Sequence, residues 1–493
     1  MKLYSENKDY KLYQGNMLDM LEAIEPNSID SIITDPPYGL TSITKRFGKE
    51  NSAECKYGKD GSFARLSRGF MGKEWDGSGI EYNIETWKKC YEVLKPGGYL
   101  LAFGGSRTFH RIACAIEDAG FEIRDTIMWL YGSGFPKSLN IGLALDKKNG
   151  IDNRTGNIVK GVGSNNTNSM KNGLGESQEF ASEYEERIAQ NEWQGWGTAL
   201  KPSFEPIIVA RKPFKGSLVD NVIEYSVGGI NIDECRIETT DIRKGGSGVI
   251  GITGFSKGKQ DIYTDGRFPA NTILTYDETD FDEVCGGFPN TKSQKAIFSN
   301  DRLKKFKEQD GCERNLKGGT FEYGFNDSGS ASRYFYCAKA SKKDRDEGLD
   351  DFEEKPKTLT ENKGRTFNDR CAICGKKFIG SPETICHCEN PITDKSKSAM
   401  SKNTHPTVKP TELMQYLVRL VTPNGGTILD PFNGSGSTGK AVMYENREKD
   451  KNYKYIGIEL TEEYLPIAKA RIEYVCKLNE EELKEMQLSI FDI

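Results

Sequence analysis

No run of about eighteen apolar residues occurs anywhere in this chain, so a membrane-spanning helix is not expected. The opening stretch, MKLYSENKDY, lacks the apolar core of a secretory signal. There is no basic excess: the net charge is −5 and the pI about 5.7. That weighs mildly against a nucleic-acid partner, although local basic patches count for more than the total. No internal repeat is visible, which sets aside solenoid and propeller architectures. Twelve cysteines are present, eight of them widely scattered. They do not form a disulfide framework and read as reduced thiols of a cytoplasmic protein.

What is present is glycine, at 52 residues, and charge, at 29%. Both suit a soluble chain with long polar loops, and the length fits about three domains. Residues 11–40 read as strand, helix, strand, with Ile29, Ile32 and Ile33 marking the second strand. A polar, Gly-rich loop follows over residues 41–80. Helical periodicity over Glu85–Leu94 stops at Lys95-Pro96-Gly97-Gly98, and Tyr99–Phe103 reads as a buried strand. His110–Ala119 reads as a helix and Ile127–Leu130 as a strand. This alternation predicts an α/β fold with a parallel or mixed sheet.

The rhythm breaks near residue 140. Residues 141–195 read as a polar insertion, and 196–212 as a region with one more core strand, PIIVARK. Residues 213–400 are rich in turn signals and read as a separate loop-rich domain. The core resumes over 401–493, with Leu413, Leu417 and Leu420 on one helical face. The expected division is therefore 1–140 and 401–493 as two halves of one core, with the other segments inserted between them.

Two motifs carry chemistry. Asp35-Pro36-Pro37-Tyr38 follows an apolar strand, the place where open α/β sheets put their ligands. Its groups suit a planar exocyclic amine, whose nitrogen is a poor nucleophile because its lone pair is delocalised into the ring. Two acceptors aimed at the amine hydrogens favour a more pyramidal nitrogen. Asp35 can supply one through its carboxylate and Pro36 the other through its carbonyl. The prolines stiffen the turn and bring no competing N–H. Tyr38 offers a face for a base to stack on. The plainer reading of the tetrapeptide is a strand-end turn with an Asp cap.

The second motif, Asp430-Pro431-Phe432-Asn433-Gly434-Ser435-Gly436, opens a glycine loop that fits three templates. Gly434, Gly436 and Gly439 match G-x-G-x-x-G, with acidic Glu459 roughly twenty positions on, as in nicotinamide enzymes. Residues 434–441 also approach a P-loop, but Ala441 lacks the hydroxyl that would hold Mg²⁺. The plainer reading is a tight strand-to-helix turn. The prefix Asp430-Pro431-Phe432 favours a third template. It resembles the cofactor motif of amino-methyltransferases, and His405-Pro406-Thr407-Val408-Lys409-Pro410 resembles the block that precedes it.

Together, and in this order, the motifs resemble the beta-class DNA amino-methyltransferases. The resemblance covers 1–140, 196–212 and 401–493, and phrases around Trp129–Lys137 and Ser332–Lys342 are similar to phage- and prophage-type methylases. It implies a Rossmann-like mixed seven-stranded sheet, circularly permuted, with the target-recognition domain inserted between its halves. It also implies S-adenosylmethionine as methyl donor, double-stranded DNA as partner and a flipped-out base as acceptor. Asp35, Pro36, Pro37 and Tyr38 would be catalytic. Asn16, Thr407, Lys409, Asp430, Phe432, Gly434, Gly436 and Glu459 would surround the cofactor, with Thr407 and Lys409 toward its carboxylate and Glu459 on the ribose hydroxyls. Many relatives carry Gly-Asp where this chain has Gly15-Asn16, so Asn16 keeps an acceptor oxygen and loses a charge. The Asp-Pro-Pro-Tyr form favours adenine N6 over cytosine N4. A homodimer and a restriction partner both stay open.

A further cluster, Cys371, Cys374, Cys386 and Cys388, has C-x₂-C-x₁₁-C-x-C spacing. It reads as a structural zinc knuckle, with His387 able to replace one thiolate. The alternative is four unliganded thiols. DNA contacts are expected from the 41–75 loop, and from Lys339, Lys342, Lys343, Arg345, Lys376 and Lys377. The competing functions are an RNA or protein-amide methyltransferase, and a DNA-binding protein with a decayed methylase core.

Overall fold

Six successive residues of Ile29–Thr34 are buried. A strand needs that pattern only when both faces of its sheet are covered. In the computed structural model this strand lies inside a ten-stranded mixed sheet. The structure describes residues 2–38, 79–131, 138–152, 187–237, 266–275, 335–336, 343–354 and 402–479, together with the backbone of short strands between them.

The strands of the main sheet are β1 (Lys2–Glu6), β2 (Tyr10–Gln14), β3 (Ile29–Thr34), β4 (Leu94–Phe103), β5 (Glu122–Tyr131), β6 (Phe204–Arg211), β7 (Thr272–Tyr276), β8 (Tyr336–Lys339), β9 (Thr427–Asp430) and β10 (Lys454–Glu459). They lie in the order β1-β2-β10-β9-β3-β4-β6-β5-β7-β8. Neighbours are parallel except that β1 runs against β2, and β6 runs against both β4 and β5. The α/β class with a mixed sheet is as expected. The expected seven strands are corrected to ten. The extra ones lie at the edges, where β1 folds back on β2 and β7 and β8 extend the far side. β7 and β8 come from residues read as loop-rich, because two short strands in a turn-rich background give little periodicity.

Nine helices matter here: α1 (Met17–Leu21), α2 (Ile84–Val93), α3 (Phe109–Asp118), α4 (Ile141–Asn149), α5 (Leu218–Tyr225), α6 (Lys342–Asp346), α7 (Thr411–Val421), α8 (Ser437–Lys449) and α9 (Leu465–Lys477). The strand residues divide between two cores. Ile33, Leu101, Phe103, Ile207, Val209 and Ile428 pack with α7, α8 and α9. Ile32, Leu100, Ala102, Ile208, Ala210 and Leu429 pack with α1, α2 and α3. This is the period-two alternation of a strand between two helical layers. Each fully buried Ile or Leu contributes about 1.5–3 kcal/mol.

The segment 343–354 also falls inside the stretch read as loop-rich, yet it is tied to the core helices. Asp344 accepts the Thr411 N–H at 2.8 Å and so caps α7. It also pairs with Lys440 of α8 at 2.6 Å. Within the expected polar insertion lie α4 and an antiparallel strand pair, Arg154–Gly161 with Ser182–Arg187.

Candidate active site

Strands β3 and β9 are parallel neighbours, so both motifs leave the sheet at the same edge. Thr34, the last residue of β3, donates its hydroxyl hydrogen to Asp430 Oδ1 at 2.7 Å. The Thr438 hydroxyl donates to Asp430 Oδ2 at 2.6 Å, and the Phe432 N–H to Oδ1 at 3.1 Å. Asp430 is 2% exposed. Burial pushes its carboxyl up to about 6, against these three hydrogen bonds. The first residue of the glycine motif thus pins β3, β9 and α8 together.

Glu459 ends β10 beside the glycine loop. It accepts the Gly434 N–H at 2.7 Å on one oxygen and the Thr461 N–H at 2.7 Å on the other. Burial pushes its carboxyl up to about 7, with those backbone donors opposing. The Gly15 N–H donates to the Glu459 carbonyl at 3.0 Å, which places Asn16 next to it. The Asn16 side-chain oxygen accepts the Leu18 N–H at 3.1 Å and caps α1. The oxygen expected to serve a ligand is therefore engaged by the helix.

His405 is neutral: burial takes it down to about 3. Its Nδ1 lies 2.6 Å from the Thr407 carbonyl, and its ring packs edge-on against Tyr464 at 4.5 Å. Gly434 has φ +53°, and a Cβ there would stand 2.9 Å from His405 Nε2. Arg345, expected among the DNA contacts, instead donates to the carbonyls of His405 at 2.6 Å and Asn403 at 3.2 Å.

The Asp-Pro-Pro-Tyr turn faces this loop. Lys409 Nζ stands 2.6 Å from Asp35 Oδ2 and 3.5 Å from Glu205 Oε2. The Tyr38 hydroxyl donates to Glu205 at 2.6 Å, and the Tyr131 hydroxyl lies 3.5 Å from its other oxygen. The Tyr38 backbone carbonyl accepts from Thr108 at 2.7 Å and Tyr82 at 3.0 Å, which locks the turn. Burial raises the Asp35 carboxyl above its ordinary range; the Lys409 charge opposes this and Glu205 adds to it. Burial pulls Lys409 down, but Asp35 and Glu205 outweigh it and the net direction is up.

One cleft of about 1740 Å³ joins these groups. Asp35, Pro36, Pro37, Tyr38, Asn16, Thr407, Lys409, Asp430, Phe432, Gly434 and Glu459 all line it. Gly436 is not among the lining residues. It has φ +75°, and a Cβ there would press on Ala468 of α9 at 3.0 Å. Its role is therefore helix packing. Glu205 was missed by sequence reasoning, as were Tyr131 and the 197–203 segment of the wall. The available signal for Glu205 was an acidic residue directly before the apolar run of β6.

Lys440, the P-loop-like lysine, is 0% exposed and held by Asp344 and Glu347 at 2.6 and 2.7 Å. It is not available to a phosphate. The side chains of Cys371, Cys374, Cys386 and Cys388 lie outside the described residues, as do His387 and the 41–75 loop. Among the described residues, no group of three or more His, Cys, Asp or Glu is arranged to hold a metal ion. Among them too, no helix is long and apolar enough to cross a membrane.

The donor set suits S-adenosylmethionine. A carboxylate at a strand end can take ribose hydroxyls, a left-handed glycine lets backbone approach, and the cleft is large enough for a nucleoside and a base together.

A mixed sheet with antiparallel β6 and a glycine loop at the end of β9 defines a methyltransferase-type α/β fold. The particular family comes from comparison. The DNA methylase family model, N6_N4_Mtase, matches residues 29–470, and the chain belongs to that family of DNA amino-methyltransferases. Type II methyltransferase M.HindIII of Haemophilus influenzae is 25% identical over 239 residues, 45% of this chain and 64% of that protein. M2.LlaDCHI of Lactococcus lactis subsp. cremoris is 40% identical over 133 residues, 26% of this chain and 44% of that protein. DNA adenine methyltransferase YhdJ of Escherichia coli is 32% identical over 83 residues, 17% of this chain and 26% of that protein. Each match spans less than two thirds of the relative's own length. Among solved structures, PvuII DNA methyltransferase (cytosine-N4-specific) aligns over 98% of this chain and 92% of its own, with TM-score 0.34 and 12% identity.

Proposed function

We propose that this protein transfers a methyl group from S-adenosylmethionine to the exocyclic N6 amine of an adenine flipped out of double-stranded DNA. The observation that carries the reading is Asp35 Oδ1, a buried acceptor without a partner, in the same cleft as the glycine loop and Glu459. The cofactor supplies an electrophilic methyl group. Asp35 accepts one amine hydrogen and the Pro36 carbonyl the other, which returns lone-pair density to the nitrogen. Tyr38 stacks on the base. Glu459 holds the ribose, and Phe432, Asn16 and Thr407 wall the remaining cofactor surface. The new N–C bond would form as the methyl–sulfur bond breaks, with S-adenosylhomocysteine as leaving group, and the amine proton would then pass to water, so Asp35 need not deprotonate it first.

The choice of adenine follows the Asp-Pro-Pro-Tyr form and the similarity to the DNA adenine methyltransferase YhdJ; the same chemistry serves cytosine N4. The order of motifs along the chain supports a permuted core, with the residues of 213–400 other than β7, β8 and the 343–354 segment supplying sequence recognition. The cysteine spacing supports a structural zinc in that segment.

The test is methyl incorporation into unmethylated DNA from labelled S-adenosylmethionine, with Asp35→Ala as control and nucleoside mass spectrometry as readout. N6-methyladenine that disappears in the variant is expected. N4-methylcytosine would keep the mechanism and overturn the base. Cofactor binding without incorporation into diverse genomic DNA would shift the acceptor to RNA or protein.

A further inference from the structure

The two oxygens of Asp35 sit in unlike settings. Oδ2 receives the Lys409 ammonium at 2.6 Å. Oδ1 is buried and has no hydrogen-bond partner. An anionic oxygen left without a donor in a buried site is costly, so a donor arriving there gains more than it would at a solvated oxygen.

Lys409 is 6% exposed. Its Nζ lies 5.0 Å from the Phe103 ring centre and 5.4 Å from that of Tyr38, and within 3.5 Å of Glu205. Glu205 in turn takes the Tyr38 hydroxyl at 2.6 Å. One carboxylate therefore holds both the ammonium that touches Asp35 and the ring beside it.

We infer that Lys409 and Glu205 are positioning residues of the amine pocket: Lys409 occupies Asp35 Oδ2 and leaves Oδ1 for the substrate amine, while Glu205 fixes Lys409 and the Tyr38 ring. This deepens the amino-methylation reading and rests on it. It assigns Lys409 to the base side of the cleft, not to the cofactor carboxylate that the family resemblance implied.

The charged and titratable groups acting on Asp35 are Lys409, Glu205, Tyr38 and Asp430. Of these, Lys409 favours the ionised carboxylate and Glu205 disfavours it. Neutralising one should shift Asp35 in the opposite sense from neutralising the other, which a loss of folding would not do.

The experiment uses the full chain and the variants Lys409→Gln, Lys409→Arg and Glu205→Gln. Three quantities are read: the single-turnover rate of DNA methylation against pH, the Kd for S-adenosylmethionine, and the titration of the Asp35 carboxyl carbon in ¹³C-aspartate protein, assigned with Asp35→Asn. Lys409→Gln is expected to slow transfer about tenfold or more at neutral pH and to move the acid limb and the carbon titration upward, since one pKa unit is a factor of ten. Its cofactor Kd should stay within about threefold, below the factor of ten that one lost charged contact gives. Lys409→Arg should recover most of the rate, and Glu205→Gln should move both curves downward. A Kd weakened tenfold or more with the chemical step intact would return Lys409 to the cofactor and overturn the proposal. So would an Asp35 titration that neither variant moves. If the wild type methylated no DNA, the amino-methylation reading would fail, and the carbon titration would still decide the Lys409–Asp35 pair.

Discussion

Thr34 and Asp430 are joined by a 2.7 Å hydrogen bond across 396 positions of sequence. It ties the strand that delivers the amine-binding turn to the strand that delivers the glycine loop. Thr34→Val keeps the shape and removes the donor. It should cost about 1.5–3 kcal/mol, the range for a hydrogen bond to a charged group. Asp430 titrates near 6, above an ordinary carboxyl. For a group raised in this way, its stabilising share is full below the ordinary range and is lost as pH rises through 6. The variant raises that value further, so its cost should be largest above pH 6 and shrink in acid. Urea melts at pH 4.5 and 8 check this; equal costs at both would contradict it.

Cofactor affinity should depend on pH through Glu459, which titrates near 7 in the empty cleft. Ribose hydroxyls donate to its ionised form, so binding expels a proton and affinity rises with pH up to and through 7. The rise is at most about tenfold per unit below that value. Glu459→Gln should weaken binding and flatten the curve. Calorimetry in buffers of different ionisation heat reads the proton directly.

Gly434 and Gly436 should fail in different ways. Gly436→Ala meets Ala468 backbone at 3.0 Å from a left-handed φ. It should lower stability by about 1–3 kcal/mol, the range for such backbone strain. Gly434→Ala meets His405, which cannot withdraw because Thr407 and Tyr464 hold it. Its larger effect should be on the Kd for S-adenosylmethionine. Thermal melts set against Kd separate the two variants, and a swap of the two phenotypes would contradict the assignment.

Lys440→Met should be among the most damaging changes away from the cleft. It leaves Asp344 and Glu347 without the buried ammonium they share. Breaking such a pair costs about 3–5 kcal/mol. Asp344 is held below the ordinary carboxylate range: burial raises it, but Lys440 and Arg471 prevail. Its contribution is therefore present above that range and lost as pH falls through the depressed value. The gap between wild type and variant should be wide at pH 7 and narrow in acid denaturation. A constant gap would mean that packing, not charge, is what was lost.

Local chemistry was enough to read β3, β4, β9 and β10, since each is a dense apolar run closed by a turn. It was also enough for the two motifs, because each packs its functional groups into four to seven consecutive residues. Short strands on the far side of the sheet such as β7 and β8 were not legible: their few residues gain strand character only by pairing with a sheet already formed. Glu205 was hidden for a topological reason. β6 is antiparallel, so it presents its first residues at the edge where every parallel strand presents its last. Lys409 was recognised, but its partner was not. Which carboxylate a lysine meets is decided by the packing of α7 against β3 and β4, and no spacing along the chain encodes that contact across 374 positions.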